Sequence, residues 1–214
     1  MNRGLLVLLI VLGLVVGLWP LPTQAGAAQV FQLKGKYASA NFDSLDPTGC
    51  VLTSLFVFAS DDSVKQAPGP PAVSSGAFVG IYQYDFCQET SLLEAFGFAS
   101  LPAPDFQFKG QTSARLTTAL DLFDSVSGSS LTAFVDLSWS GIGAAERSHY
   151  NYHVQGPGYV INERVNGVFR FAAASGSVSA GGVNFISGEA IEGIIGVTKA
   201  GTVFVTTGSG QTQP

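Results

Sequence analysis

The sequence predicts an all-β protein: a single antiparallel β-sandwich or β-barrel of about ten strands, preceded by a signal peptide. Three observations point there. The stretch 112–141 alternates twice, with Ala114, Leu116, Thr118, Leu120 and Leu122 on one side of an extended chain, then Leu131, Ala133, Val135, Leu137 and Trp139. Charged residues make up 12% of the chain, about half the usual share of roughly 25%, so the helix-favouring Lys and Glu are scarce. Finally, Gly at 26 and Phe at 16 suit strands joined by turns.

The double alternation reads as a long β-hairpin broken at Ser125–Ser130. Residues opposite each other share a sheet face, so only an odd register sum, such as Leu122 facing Ala133, unites both apolar rows. An even sum sets Leu120 against Asp136.

Taking the chain in order, residues 1–27 carry a short basic start at Asn2-Arg3, an apolar run from Leu5 to Trp19, then Pro20, Pro22 and an Ala25-Gly26-Ala27 cleavage pattern. This is expected to be a signal peptide, the run being shorter than the ~20 residues a bilayer-spanning helix needs. Secreted, extracellular or periplasmic residence follows, with residues 28–207 as one all-β domain and 208–214 as a flexible tail. Cys50 and Cys87 are the two cysteines, and in an oxidising compartment an isolated pair reads as one disulfide.

Val30 to Phe42 alternates as a first strand, and Asp43 to Gly49 forms a tight turn in which Gly49 takes an unusual backbone angle. Val51 to Ala59 is apolar on both faces, as a strand buried on two sides would be. Ser60 to Gly76, with Ala67-Pro68-Gly69-Pro70-Pro71 inside it, is expected to be an exposed loop. Ala77 to Asp85, Ser91 to Ala99 and Phe106 to Lys109 read as strands before the central hairpin. Arg147 to Gln155 and Tyr159 to Ala174 follow as two more. The Gly-rich region 176–206 is expected to hold short strands separated by turns or bulges.

Catalytic signatures are missing from the sequence. There is no H-E-x-x-H, no G-x-S-x-G and no G-x-x-x-x-G-K-[ST], so no catalytic residue, cofactor or metal is assigned. Gly141-x-Gly143 has Glu146 where a dinucleotide turn needs its third glycine, and that carboxylate would repel a pyrophosphate.

Two groups of residues are candidates for ligand binding. Arg147, His149 and His153 point to one side of a strand, with Tyr150 and Tyr152 on the other. The two imidazoles stand roughly 13 Å apart on a strand of ~3.3 Å rise, too far to share a metal without a bend. Arg115, Asp121 and Asp136 share the polar face of the central hairpin and could meet a polar ligand there.

The net charge of −5 becomes −6 once Arg3 is removed with the leader, and no Lys or Arg run is present. Nucleic acid and anionic membrane are therefore not expected as partners. The leading expectation is a secreted, non-enzymatic binding or structural module with a protein or carbohydrate partner. A small barrel holding an apolar ligand among its Phe residues is the second reading. An exported hydrolase is the third and an outer-membrane barrel the fourth.

Overall fold

The computed structural model describes residues 28–206 except 103, 158, 182 and 186–190. The expected signal peptide and the tail at 208–214 lie outside the described residues. The described chain is all β, with β1 (Ala28–Leu45), β2 (Val51–Gln66), β3 (Ala72–Asp85), β4 (Thr90–Ser100) and β5 (Phe106–Lys109). Then come β6 (Ser113–Asp124), β7 (Ser129–Gly141), β8 (Glu146–Gly156), β9 (Tyr159–Ala180), β10 (Val183–Asn184) and β11 (Ile191–Thr206).

Every pairing among these strands is antiparallel. The order β9-β11-β1-β2-β3-β4-β6-β7 returns from β7 to β9, so eight strands close into a ring. Closure leaves these eight strands paired on both sides within the ring, while β5, β8 and β10 each pair on one side.

Alternation determines what fills the ring. Ala38 and Ala40, Leu55, Val57 and Ala59, Ala77, Val79 and Ile81 are buried at every second position of β1, β2 and β3. Leu116, Leu120 and Leu122 of β6 and Ala133, Val135, Leu137 and Trp139 of β7 face the same interior. The central hairpin thus forms with both apolar rows inward, as expected. Its register pairs Leu120 with Ala133 and Leu122 with Leu131, an odd sum two residues away from the example offered above. Trp139 crosses the interior and donates its indole N–H to the Ser39 carbonyl at 2.8 Å, tying β7 to β1.

Two expectations about strand length are corrected. Ser60 to Gly76 is not a loop: β2 runs on to Gln66, β3 begins at Ala72, and only residues 67–71 connect them. The polar residues Ser60, Asp61, Asp62 and Ser63 stay in the ladder because β1 and β3 satisfy their backbone on both sides. Likewise, region 176–206 contributes the end of β9 and one long β11 rather than several short strands, since β11 pairs with β1 and β9 along nearly its whole length.

β7 and β8 follow one another along the same edge of β9. Pairs run from Ala133 with Ala180 to Gly141 with Ala172, and resume from Glu146 with Phe169 to Gly156 with Tyr159. Since β6 pairs with β7 and not with β8, the sheet continues past the ring as an extension of β8, β9, β11, β1 and β2. The contrasting place is the seam between β4 and β6, where only Ala95 with Asp124 and Phe96 with Phe123 are paired. Asp124 reinforces it by accepting from the Glu94 amide at 3.1 Å, and Ser125 N–H donates to the Glu94 carbonyl at 2.9 Å. A Cβ on Gly97 would meet the Asp121 carbonyl oxygen, so the absence of a side chain lets β4 lie against β6 here.

At the far end, Asp46 holds the β1–β2 turn. Its carboxylate accepts from the Cys50 and Val51 amides at 2.9 and 2.8 Å, and Gly49 sits at φ 74°, as its place in the turn predicts. Cys50 and Cys87 form the expected disulfide, with Cα atoms 5.3 Å apart. That bond is consistent with an oxidising, extracellular or periplasmic location. No helix among the described residues is long and apolar enough to cross a membrane.

Candidate functional site

The hairpin candidates lie on the outer face of the ring, opposite the core-facing rows. Arg115 and Asp136 form an ion pair at 3.1 Å with side chains 55% and 51% exposed, and Thr117 donates to the same carboxylate at 3.2 Å. Asp121 accepts from Thr132 at 2.9 Å. These contacts satisfy one another at the surface, where such pairs contribute about 0–1 kcal/mol. Nothing in the arrangement desolvates them as acid and base chemistry would need.

The β8 candidates divide between two faces, as the alternation predicts. Tyr150 and Tyr152 stack at 6.1 Å between ring centroids on one face. His149 and His153 stand on the other, their Nδ1 atoms 2.8 and 2.6 Å from Oδ1 of Asn166 and Asn162, their direct partners on β9. Neither imidazole meets a carboxylate or a nucleophilic hydroxyl among the described residues. Arg147 shares their face, and all three side chains are exposed. The structure therefore does not unite the two candidate groups. The hairpin trio is on the outer face of the ring, and Arg147, His149 and His153 are on the continuation of its inner face.

Following that inner face outward shows what the linear sequence conceals. The chain has ten Lys and Arg; Arg3 falls in residues 1–27, leaving nine. The residue parity that faces the core at Ala38, Ala59, Ala172 and Ile195 continues along the extension. It carries Lys34 and Lys36 on β1, Lys65 on β2, Lys199 on β11, Arg164 and Arg170 on β9 and Arg147 on β8. Seven of the nine cations thus share one face. Lys34 and Lys199 are direct partners across β1 and β11. Of the described carboxylates, only Asp61 is on this parity of the extension; it stands directly opposite Lys36 across β1 and β2 and accepts from the Ser75 hydroxyl.

A shallow open cavity of about 370 Å³ lies at the β8 edge, bordered by Asn151, His153, Asn162, Arg164, Gly201 and Val203, with Tyr152 and Glu163 also among its lining residues. A Cβ added at Gly201 would touch nothing within 4 Å, so its missing side chain leaves the surface open. Arg170, where the face enters the ring, has a buried Nε without a hydrogen-bond partner.

The opposite face is aromatic. Phe58, Phe78 and Phe98 are cross-strand neighbours on the outside of β2, β3 and β4, and Phe96 pairs with Phe123. Phe98, Phe134 and Phe171 are 62%, 61% and 50% exposed. The interior of the described residues is filled by Ala, Val, Leu, Ile and Trp139, with Phe106 and Phe185 buried among them. A second depression of about 290 Å³ opens on this side near Phe56, Gly80 and Phe96, with Asp43 and Glu94 among its lining residues.

Several carboxylates respond to burial and hydrogen bonding. Burial pushes the Asp62 carboxyl above the usual carboxylate range against the opposing hydrogen bond from Ser60, and burial does the same to Glu163. Asp124 is held below that range chiefly by the Ser127 hydroxyl. Cys50, Asp85 and Cys87 bring three metal-ligand types together, but both sulfurs are already joined to each other.

Comparison with known proteins assigns no family. No protein-family model and no curated protein matches the chain. Among solved structures it resembles a protein from Nitrosomonas europaea described as a "putative AttH", at 13% identity and a TM-score of 0.23. The match covers 91% of this chain and 60% of that one, so this chain spans less than two thirds of its neighbour.

Proposed function

We propose that this chain is a non-enzymatic binding module of the cell exterior or periplasm, and that it engages its partner through the β8-β9-β11-β1-β2 extension. The gathering of seven cations on one face, six of them exposed among the described residues, carries this reading. Sheet alternation requires a polar face, but it does not require that face to be almost uniformly of one sign. The disulfide supports an oxidising compartment, and the solid interior of the ring supports a scaffold rather than a container.

The structure offers less support to the other readings. A ligand-holding barrel needs an open lumen, whereas here Trp139, Leu116 and Leu137 fill the centre. An outer-membrane barrel needs a continuous apolar band outside and a polar interior; the outward Phe residues are interrupted by Arg115, Asp121 and Asp136, and the interior is apolar. A hydrolase needs a base oriented beside a nucleophile, and each imidazole has an Asn as its hydrogen-bond partner.

The test is binding of residues 28–214 to a panel of neutral glycans, acidic glycans and surface proteins, comparing substitutions on the extension with substitutions on the hairpin face. Binding to any panel member that is lost with Arg164→Glu and kept with Thr132→Ala supports the reading. Equal sensitivity at the two faces, or no binding to any class, would overturn it.

A further inference from the structure

Resting on that reading of the extension as the binding face, we infer that its ligand is an anionic polysaccharide. Four observations on the face argue for this chemistry. First, the cations are unpaired: among the described residues the only ion pair is Arg115 with Asp136, on the other side of the sheet, so none of the seven has a carboxylate within 4.0 Å. Lys34 stands directly against Lys199, an arrangement of like charges that disfavours the sheet unless an anion lies between them.

Second, the spacing is that of a grid. Cations two residues apart on a strand, such as Lys34 and Lys36, stand roughly 7 Å apart, neighbouring strands are about 4.8 Å apart, and five strands make a surface about 19 Å wide. A linear polymer with regularly repeated charge can meet several of these positions at once.

Third, amides accompany the charges. Asn151, Asn162 and Asn166 share the face with Arg164, and Gln32 pairs with Gly201 beside the cavity. Amides both donate and accept, which suits sugar hydroxyls between the acidic groups.

Fourth, the face lacks the features that other polyanions require. On this parity of β8, β9, β11, β1 and β2 the remaining residues of the extension are His149, His153, Asp61, Gly201, Val, Ala, Ser and Gln; the Phe and Tyr side chains of these strands are on the opposite face. Single-stranded nucleic acid is held by bases stacking on aromatic rings, and a membrane-surface element inserts Trp, Phe or Leu between its cations. Hydrogen-bonding amides on a face without Phe, Tyr or Trp fit an acidic glycan better than either.

Isothermal titration of residues 28–214 tests this with four probes: polygalacturonate, neutral dextran, a single-stranded oligodeoxynucleotide, and vesicles containing phosphatidylglycerol. The expected result is binding to polygalacturonate that weakens with added salt, and no binding to dextran. Arg164→Glu with Lys199→Glu should weaken it at least tenfold, with Arg164→Lys retaining it. Lys109→Glu, on the outer side of β5, should leave affinity unchanged. If the double reversal fails to fold by circular dichroism, Lys34→Gln with Lys199→Gln replaces it, with a loss of at least threefold expected. Dextran bound as tightly as polygalacturonate through the same face would overturn the anionic ligand while keeping the module. Tighter binding of the oligonucleotide or the vesicles would overturn the polysaccharide class. No binding to any probe would overturn this inference, and the module reading would then be decided by the protein members of its own panel.

Discussion

Replacing Trp139 by Phe probes how the ring of strands is held together across its middle. The indole is fully buried and its N–H reaches the Ser39 carbonyl at 2.8 Å, while Cδ1 and Nε1 lie 3.0 and 3.1 Å from where a Cβ on Gly193 would stand. Phe removes that donor and shortens the side chain. The lost hydrogen bond contributes about 1 kcal/mol net. Reduced apolar burial, equivalent to roughly two methylene groups at ~0.8 kcal/mol each, adds about 1.5 kcal/mol. The expected destabilisation is therefore about 2.5 kcal/mol, a large part of the roughly 5–15 kcal/mol typical of a folded domain. With a urea m-value of about 2 kcal/mol/M, the unfolding midpoint should fall by about 1.2 M at unchanged slope. Far-UV circular dichroism follows both proteins, because the substitution removes the indole itself. A shift below about 0.3 M with the same m-value would show that the indole neither packs nor bonds as described.

Three further outcomes follow from the same structure. Removing the disulfide with Cys50→Ala and Cys87→Ala frees a loop with sequence separation 37; the chain-entropy relation gives a loss of about 4 kcal/mol, and a denaturation midpoint unchanged by the substitutions would refute that contribution. Gly97→Ala should destabilise by at least 1 kcal/mol, because its methyl would strike the Asp121 carbonyl and Leu122 at the β4–β6 seam; an unchanged melting temperature would show that β4 does not press on β6. Asp62→Asn should raise the melting temperature at pH 7. Burial raises the folded carboxyl above its unfolded range, so its favourable contribution is present at low pH and disappears as pH rises through the folded value. Asn retains an acceptor for the Ser60 hydroxyl without the buried charge, so the advantage should vanish near pH 3, and an advantage of equal size at both pH values would contradict this account.

The sequence made the β6–β7 hairpin legible because one side of each strand is apolar and the other polar, so period and face could be read together. Cys50 and Cys87 were legible for a simpler reason: two cysteines allow one pairing. The continuation of β2 and β3 through residues 60–66 and 72–76 was not, because Ser, Asp and Gly resemble a loop until the neighbouring strand that satisfies their backbone is known. The outward placement of Phe58, Phe78 and Phe98 was hidden for a related reason. Their strands are apolar on both sides, and composition alone cannot say which side meets the core. The basic face was the most concealed feature. Its cations arrive one or two at a time from five strands, and only the register sets Lys34 against Lys199 or places Arg164 next to Gly201. The expectation drawn from the lack of a Lys or Arg run rested on neighbours in sequence, whereas a sheet creates its neighbours across the ladder.

The two residue pairs joining β4 to β6 leave the cylinder with a zip-like closure. Opening there breaks few backbone bonds, and it would convert a tube into a curved ribbon while the longer ladders on the other strands stay intact. Amide hydrogens near Ala95 and Asp124 should consequently exchange ahead of those deep in β1 and β2. The extension lies beyond the ring on other strands, so local breathing at this junction can proceed without disturbing the charged lattice.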